Sequence, residues 1–173
     1  MANLQVTQPN EITKVNELNN LELLDDVKVK ITKCYITRKD IADFMGTTKR
    51  AFPFTPSQIA VGQITETLQE SNYFTKGTKV YLNPMTASDL PDDAREKGIT
   101  AYDGGFLKDF TVIDKKYVHI LPNNVSEFDA LYIYHISLGL SVIDTLHLKQ
   151  GEYVAIIGGT TLANIIAQLI SYY

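Results

Sequence analysis

The sequence predicts a mainly β, α+β chain: a barrel or sandwich of short strands, then a long helix, then one strand–turn–helix unit. Three observations lead there. Short apolar runs separated by turn signals recur between residues 27 and 113. After Pro122 the apolar period changes from two to three-and-four. The closing stretch, YVAIIGGTTLANIIAQLI, divides into a β-like run, a glycine turn and a helix-like run.

The opening MANLQVTQPNEITKVNELNN is polar, without an apolar stretch of signal-peptide length. NELNNLELLDD (16–26) reads as a loop or strand connection. Val27, Val29 and Ile31 alternate with Lys28, Lys30 and Thr32, the period of a strand with one buried face. Thr37-Arg38-Lys39-Asp40 is a capping box, because a Thr hydroxyl and an acid three residues on satisfy each other's backbone amides, and Gly46 is placed to stop the short helix. Further strands are expected in QIAVGQITETL (58–68), KVYL (79–82) and FLKDFTVI (106–113). Turns are expected at Lys76-Gly77, Asn83-Pro84 and Asp103-Gly104-Gly105. Behind a cap at Ser126, the spacing of Phe128, Leu131, Tyr132, His135, Leu138, Val142, Ile143 and Leu146 predicts one amphipathic helix of several turns. Lys149-Gln150-Gly151-Glu152 then turns the chain into the final unit.

At 173 residues there is material for one domain with a sizeable core and part of a second. A hydrophobic share of 45% and a charged share of 21% exclude disordered and fibrous classes. The formal charge of −4, with Lys and Arg scattered, supplies no basic field for phosphate backbones, so nucleic acid is not an expected partner. Cys34 is the sole cysteine, which rules out an intrachain disulfide and a four-cysteine zinc lobe and suits a reducing, cytoplasmic setting. Residues 153–173 carry no charge and have span length, but Gly158, Gly159, Thr160, Thr161, Asn164 and Gln168 interrupt them. A buried strand and helix is the expectation there, with no membrane partner.

Four blocks, in order and spacing, resemble the medium-chain dehydrogenase/reductase superfamily. VKVKITKCYITRKDIADFMG is similar to the strand and helix corner carrying its Cys-Gly-x-Asp segment, and KGTKVYLNP to its Lys-Gly-Asp-Arg-Val stretch. DGGFLKDFTVIDKKYVHILPNNVSEFDAL follows its run from a Gly-Gly turn to Leu-Pro and a helix start, and LKQGEYVAIIGGTTLANIIAQLI resembles its first Rossmann strand, turn and helix. The resemblance implies a GroES-like, partly open β-barrel that supplies the substrate pocket (residues 1–147, including its closing helix). It implies the beginning of a Rossmann domain in residues 148–173.

In zinc members of this superfamily the catalytic ligands are a Cys in the Cys-Gly-x-Asp segment, a His followed by Glu in a Gly-His-Glu segment, and a Cys or Glu on the long helix. Aligned on these, Thr37 stands at the Cys, Gln58 at the His, Ile59 at the Glu and Tyr134 at the last ligand. None supplies the thiolate, imidazole or carboxylate that zinc takes, so no zinc is expected. His119, His135 and His147 lack i, i+4 spacing, and His135 on the apolar stripe reads as a core histidine. Cys34 reads as a small packing residue. Thr37, Gln58 and Tyr134 are pocket candidates as carbonyl-binding polar groups. Asp40 is either the helix-cap partner of Thr37, the preferred reading, or the acid near the substrate cleft.

The Rossmann fingerprint Gly-x-Gly-x-x-Gly is represented by Gly158, Thr160 and Ala163, so Gly158, Gly159, Thr160 and Thr161 are the cofactor-binding candidates. A Cβ at the second position pushes against a bound pyrophosphate, and the acidic residue expected about 20 positions on would lie beyond Tyr173. The resemblance thus implies the substrate side of a zinc-independent oxidoreductase using NADP or NAD in a full-length parent. A small carbonyl compound or activated alkene is the expected substrate, and homo-oligomerisation of a longer parent stays open. This chain alone is expected to be inactive. The alternative is a non-catalytic binding or interaction module derived from the same fold.

Overall fold

The computed structural model describes residues 2–16, 25–68, 73–82, 105–149 and 151–172. Contacts divide the chain into two compact units, Met1–Leu131 and Tyr132–Tyr173.

The first unit opens on a hairpin of β1 (Ala2–Gln8) and β2 (Glu11–Asn16), a pair that the polar N-terminal sequence did not announce. Its corner is Pro9-Asn10, with Asn10 at φ 63°, which suits Pro and Asn in a tight turn. The hairpin is tied down by the Leu4 N–H donating to the Leu107 carbonyl (3.0 Å) and the Val6 N–H donating to the Phe54 carbonyl (2.8 Å). Only Asn3 and Val6 are buried, so the burial signal is too sparse to read as a strand.

The main sheet comprises β3 (Asp26–Tyr35), β4 (Ile59–Thr67), β5 (Lys79–Leu82), β6 (Phe110–Asp114) and β7 (Val118–Ile120). Its order is β6-β3-β4-β5-β7 with every neighbouring pair antiparallel, curling into an open half-barrel as expected for a mainly β fold. The core gathers Val27 and Val29 of β3, Ala60 and Ile64 of β4, Val80 and Leu82 of β5, and Phe106. Fully burying one such Val contributes about 1.5–3 kcal/mol.

Two details depart from the simple alternation in β3. Lys28 is buried between Val27 and Val29, and its ammonium meets Glu66 Oε1 at 3.1 Å. Register shifts at Lys28/Val29 and Ile31/Lys33 break the period, leaving Ile31 half-buried against the core. FLKDFTVI forms a strand only from Phe110, because residues 106–109 turn away to bond Pro56 and Ala2. Gly77 makes its expected turn at φ 89°. The expected turns at Asn83-Pro84 and Asp103-Gly104, and most of the 16–26 connection, lie outside the described residues.

The helix expected as one piece after Ser126 is two. Ser126 caps α2 (Glu127–Ala130), and Leu131–Tyr132 then separate it from α3 (Ile133–Leu146). Ala130 and Leu131 are buried within the first unit, whereas α3 packs on α4 (Thr161–Ile170) in the second, so no single apolar stripe serves both. Gly139 marks the α3–α4 contact: a Cβ there would meet Leu169 Cδ1 at 3.0 Å. Ile143 is buried as expected, but Phe128, Leu138 and Leu146 are exposed.

The strand expected in YVAII does not form. Residues 152–159 have no ladder, and Tyr153 and Ile157 are fully exposed. A single β-run has nothing to pair with when no second strand of its sheet is present among the described residues, whereas a helix satisfies its own backbone. No described helix is long and apolar enough to cross a membrane.

Candidate functional site

Two of the four pocket candidates, Thr37 and Asp40, meet at the corner where β3 enters α1 (Arg38–Phe44). Thr37 is the N-cap: its Oγ1 accepts from the Asp40 N–H (3.1 Å), and Asp40 Oδ2 accepts in return from the Thr37 N–H (2.7 Å) and hydroxyl (2.5 Å). The second carboxylate oxygen, Oδ1, accepts from the Ser57 backbone N–H at 2.9 Å. Asp40 thus serves as the helix-cap partner of Thr37 and joins the helix start to the loop that carries Gln58. Lys39 and Asp43 form an ion pair one turn on, at 2.7 Å.

Ser57 was not singled out by the sequence, yet it organises this corner. It is fully buried with φ 70°, a left-handed backbone rare outside glycine. The alignment that sets Gln58 at the His of Gly-His-Glu sets Ser57 at the Gly, which is the signal that could have found it. Its hydroxyl donates to the Ile59 carbonyl (3.0 Å) and its side chain also hydrogen-bonds the Cys34 thiol. Burial pushes the Cys34 thiol above its ordinary pKa; the Ser57 hydrogen bond lowers it and the Asp40 charge raises it further. A thiol held protonated is a packing group rather than a nucleophile.

Gln58 is half-buried and Ile59 is in the core. An apolar cavity of about 200 Å³ adjoins Asp40, walled by Val6, Ile12, Ile36, Ile41, Phe44, Pro56 and Leu107. Thr37 and Gln58 do not line it. Tyr134 belongs to the second unit, exposed on α3 with its ring edge-on to His135 at 5.7 Å. Burial holds His135 below the ordinary histidine pKa.

These residues do not fit a tetrahedral zinc site. The Thr37 hydroxyl is committed to Asp40, Ile59 has no donor atom, and Gln58 offers only a neutral amide. Among the described residues, no three His, Cys, Asp or Glu side chains gather as a metal group.

In the second unit, Gly158 (φ 131°) opens the turn before α4, and space for a Cβ is free at both Gly158 and Gly159. Thr160 is the N-cap of α4, its Oγ1 accepting from the Ala163 N–H at 3.2 Å, and Thr161 is the first helical residue. The cap takes one of the amides that a phosphate would use. Among the described residues no paired strand adjoins these four candidates.

The sequence matches the alcohol dehydrogenase GroES-like domain over residues 24–123. A search of curated proteins finds no significant match. Among solved structures, galactitol-1-phosphate dehydrogenase from Escherichia coli is similar with a TM-score of 0.78 at 18% identity, covering 99% of this chain and 53% of that one. A short chain alcohol dehydrogenase from E. coli CFT073, complexed with NADH, gives 0.81 at 15% identity, covering 99% and 53%. A mycobacterial protein complexed with NADPH gives 0.71 at 14%, covering 99% and 50%. At these identities the likeness is one of fold, and the chain spans about half the length of the structures it matches. With the family matched over residues 24–123 and an open half-barrel that agrees with it, the chain belongs to the alcohol dehydrogenase GroES-like domain family.

Proposed function

We propose that this chain is the substrate-side part of a zinc-independent, nicotinamide-dependent oxidoreductase, working on a carbonyl compound or activated alkene by hydride transfer. The observation that carries the zinc-independent reading is the corner itself. At the aligned ligand positions the chain places a committed Thr37, a neutral Gln58 and a core Ile59, with Asp40 spent on Thr37 and Ser57. The nicotinamide part rests on the family, and on similar structures complexed with NADH and NADPH. NADP or NAD would be held mainly by parts of a longer protein that this chain does not contain, so the chain by itself is inactive. Cys34 as sole cysteine suits a reducing, cytoplasmic setting.

The apolar cavity beside Asp40 supports a small, largely apolar substrate, since binding sites of this kind are mostly apolar with few polar groups. The test is to assay the product of the full natural reading frame with NADH and NADPH against aldehydes, ketones and enones, with and without a chelator. Turnover that survives chelation is the expected result. Turnover abolished by chelation and restored by zinc would overturn zinc independence.

A second reading, a non-catalytic binding module, is favoured by Thr160, whose side chain caps α4 where the family has its second glycine. Folded full-length protein that neither binds nor oxidises either nicotinamide would establish it over the first.

A further inference from the structure

We propose that two copies of this chain pair antiparallel along residues 153–157, each supplying the strand that the other lacks. Tyr153 to Ile157 has the composition of a strand, yet among the described residues its backbone makes no hydrogen bond and joins no sheet. Its N–H and C=O groups are therefore open to another strand, as at an uncovered sheet edge. Exposure alternates along the segment with a strand's period of two. Tyr153 and Ile157 are fully exposed at 103% and 100% and Ala155 is exposed with them, whereas Val154 is half-buried and Ile156 is 38% exposed. Gly151 (φ 91°) and Gly158 (φ 131°) bound the segment, so a pairing is confined to it.

The sequence of the exposed row names its occupant. In an antiparallel pair centred on Ala155, Tyr153 of each copy stands opposite Ile157 of the other, an aromatic facing a β-branched side chain at both ends. The small Ala155 faces itself on the twofold axis, and Val154 stands opposite Ile156. Glu152, the last charged residue of the chain, falls opposite Gly158, so no like charges meet although each copy carries a net −4. The register is self-complementary, and a twofold pairing closes at two chains instead of running on into a filament. Tyr153, Ala155, Ile157 and their strip of backbone offer on the order of 500 Å² per copy, with about 150–250 Å² from the tyrosine. About 1,000 Å² over both copies is the lower end for a specific interface, which makes the dimer a reversible one. The pairing belongs to the 173-residue chain and goes beyond the catalytic reading; strands supplied by a longer protein would take the same edge.

Sedimentation velocity of the 173-residue chain over a concentration series should show monomer passing to dimer, with no larger species. Ala155→Lys sets two ammonium groups face to face on the axis and should weaken the dimer at least about tenfold. Its thermal midpoint at monomer dilution should match the parent's, because Ala155 is exposed and outside every helix and strand. Crosslinking reads the register directly. In a Cys34→Ala background, which leaves no other cysteine, Ala155→Cys should oxidise to a disulfide-linked dimer. Opposed Cα atoms stand about 4.5–5.5 Å apart, and a disulfide spans about 4.4–6.8 Å. Tyr153→Cys and Ile157→Cys, each about 13 Å from its own mate four residues along, should crosslink at least about tenfold more slowly alone and rapidly when mixed. A monomer at every concentration up to the millimolar range would overturn the proposal. So would a dimer indifferent to Ala155→Lys, or equal crosslinking at 153, 155 and 157.

Discussion

Asp40 and Ser57 are joined by a backbone N–H to carboxylate hydrogen bond of 2.9 Å that fixes the loop before β4 to the first turn of α1. The same carboxylate closes the capping box, so one side chain accepts from three donors on two segments. Replacing Asp40→Ala leaves those donors without their acceptor and should cost about 2–4 kcal/mol in urea unfolding. Asp40→Asn keeps one acceptor oxygen and turns an NH₂ toward a donor, and should cost about 1–3 kcal/mol. A loss below about 0.5 kcal/mol for the Ala variant, as at an ordinary surface site, would show that the junction is not structural.

Two glycines should respond very differently from a third to the same added methyl group. At Gly105 (φ 36°) a Cβ would stand 1.9 Å from the Thr55 carbonyl oxygen, and at Gly62 2.3 Å from the Lys30 carbonyl oxygen. Both obstacles are backbone, so neither can swing aside. Each Ala variant should be destabilised by about 3 kcal/mol or more, or fail to fold. Gly77→Ala is the control: nothing lies near its Cβ, leaving only the left-handed backbone cost of about 1–2 kcal/mol. Equal losses at Gly77 and Gly62 would remove the steric argument.

Cys34 gives the protein a pH dependence of definite sign. Burial raises the folded thiol's pKa, so over the window between the unfolded and folded values the native state keeps a proton that the unfolded chain has lost. The unfolded state then binds fewer protons and stability falls as pH rises. The loss begins near the free-thiol value of about 8.5. Denaturant midpoints should fall more steeply between neutral and alkaline pH in the parent than in Cys34→Ala. Alkylation by iodoacetamide should also be slower folded than unfolded. Matching slopes in the two proteins would mean that the thiol ionises as readily folded as unfolded.

The half-barrel was legible because its signals are local. Val27 and Val29, KVYL, the Thr37–Asp40 box and the Ser126 cap each announce themselves within a few residues. The hairpin was not, because β1 is held by backbone bonds to residues 54 and 107, and only Asn3 and Val6 of it are buried. Of the site, Thr37 and Asp40 were legible as a pair. That Asp40 also reaches Ser57 was hidden, since nothing local shows that residue 57 folds back onto residue 40. YVAII was misread for the opposite reason: its composition is that of a strand, but a strand is a pairing, and no partner stands among the described residues.

Thr160 offers the sharpest test of the nicotinamide reading. Its hydroxyl caps α4 by accepting from the Ala163 N–H, so the side chain at the family's second glycine serves the helix rather than a ligand. What remains for an anion is the rest of one helix N-terminus after Gly158-Gly159, worth on the order of 1 kcal/mol, against roughly 8 kcal/mol for micromolar binding. Calorimetric titration of this chain with NADH and NADPH should therefore show no saturation in the micromolar range. Thr160→Ala should destabilise α4 by about 1 kcal/mol and Thr160→Gly by only a few tenths, since Gly is itself a tolerated cap. In a longer protein that supplies the neighbouring strands, Thr160→Gly should tighten nicotinamide binding, because it removes the Cβ facing the pyrophosphate at little cost to the helix. Micromolar binding by the present chain would show that the phosphate turn needs no neighbouring strands. Weaker binding in the longer Thr160→Gly protein would instead make the Thr160 hydroxyl a phosphate ligand, exchanging its bond to Ala163 for one to the cofactor.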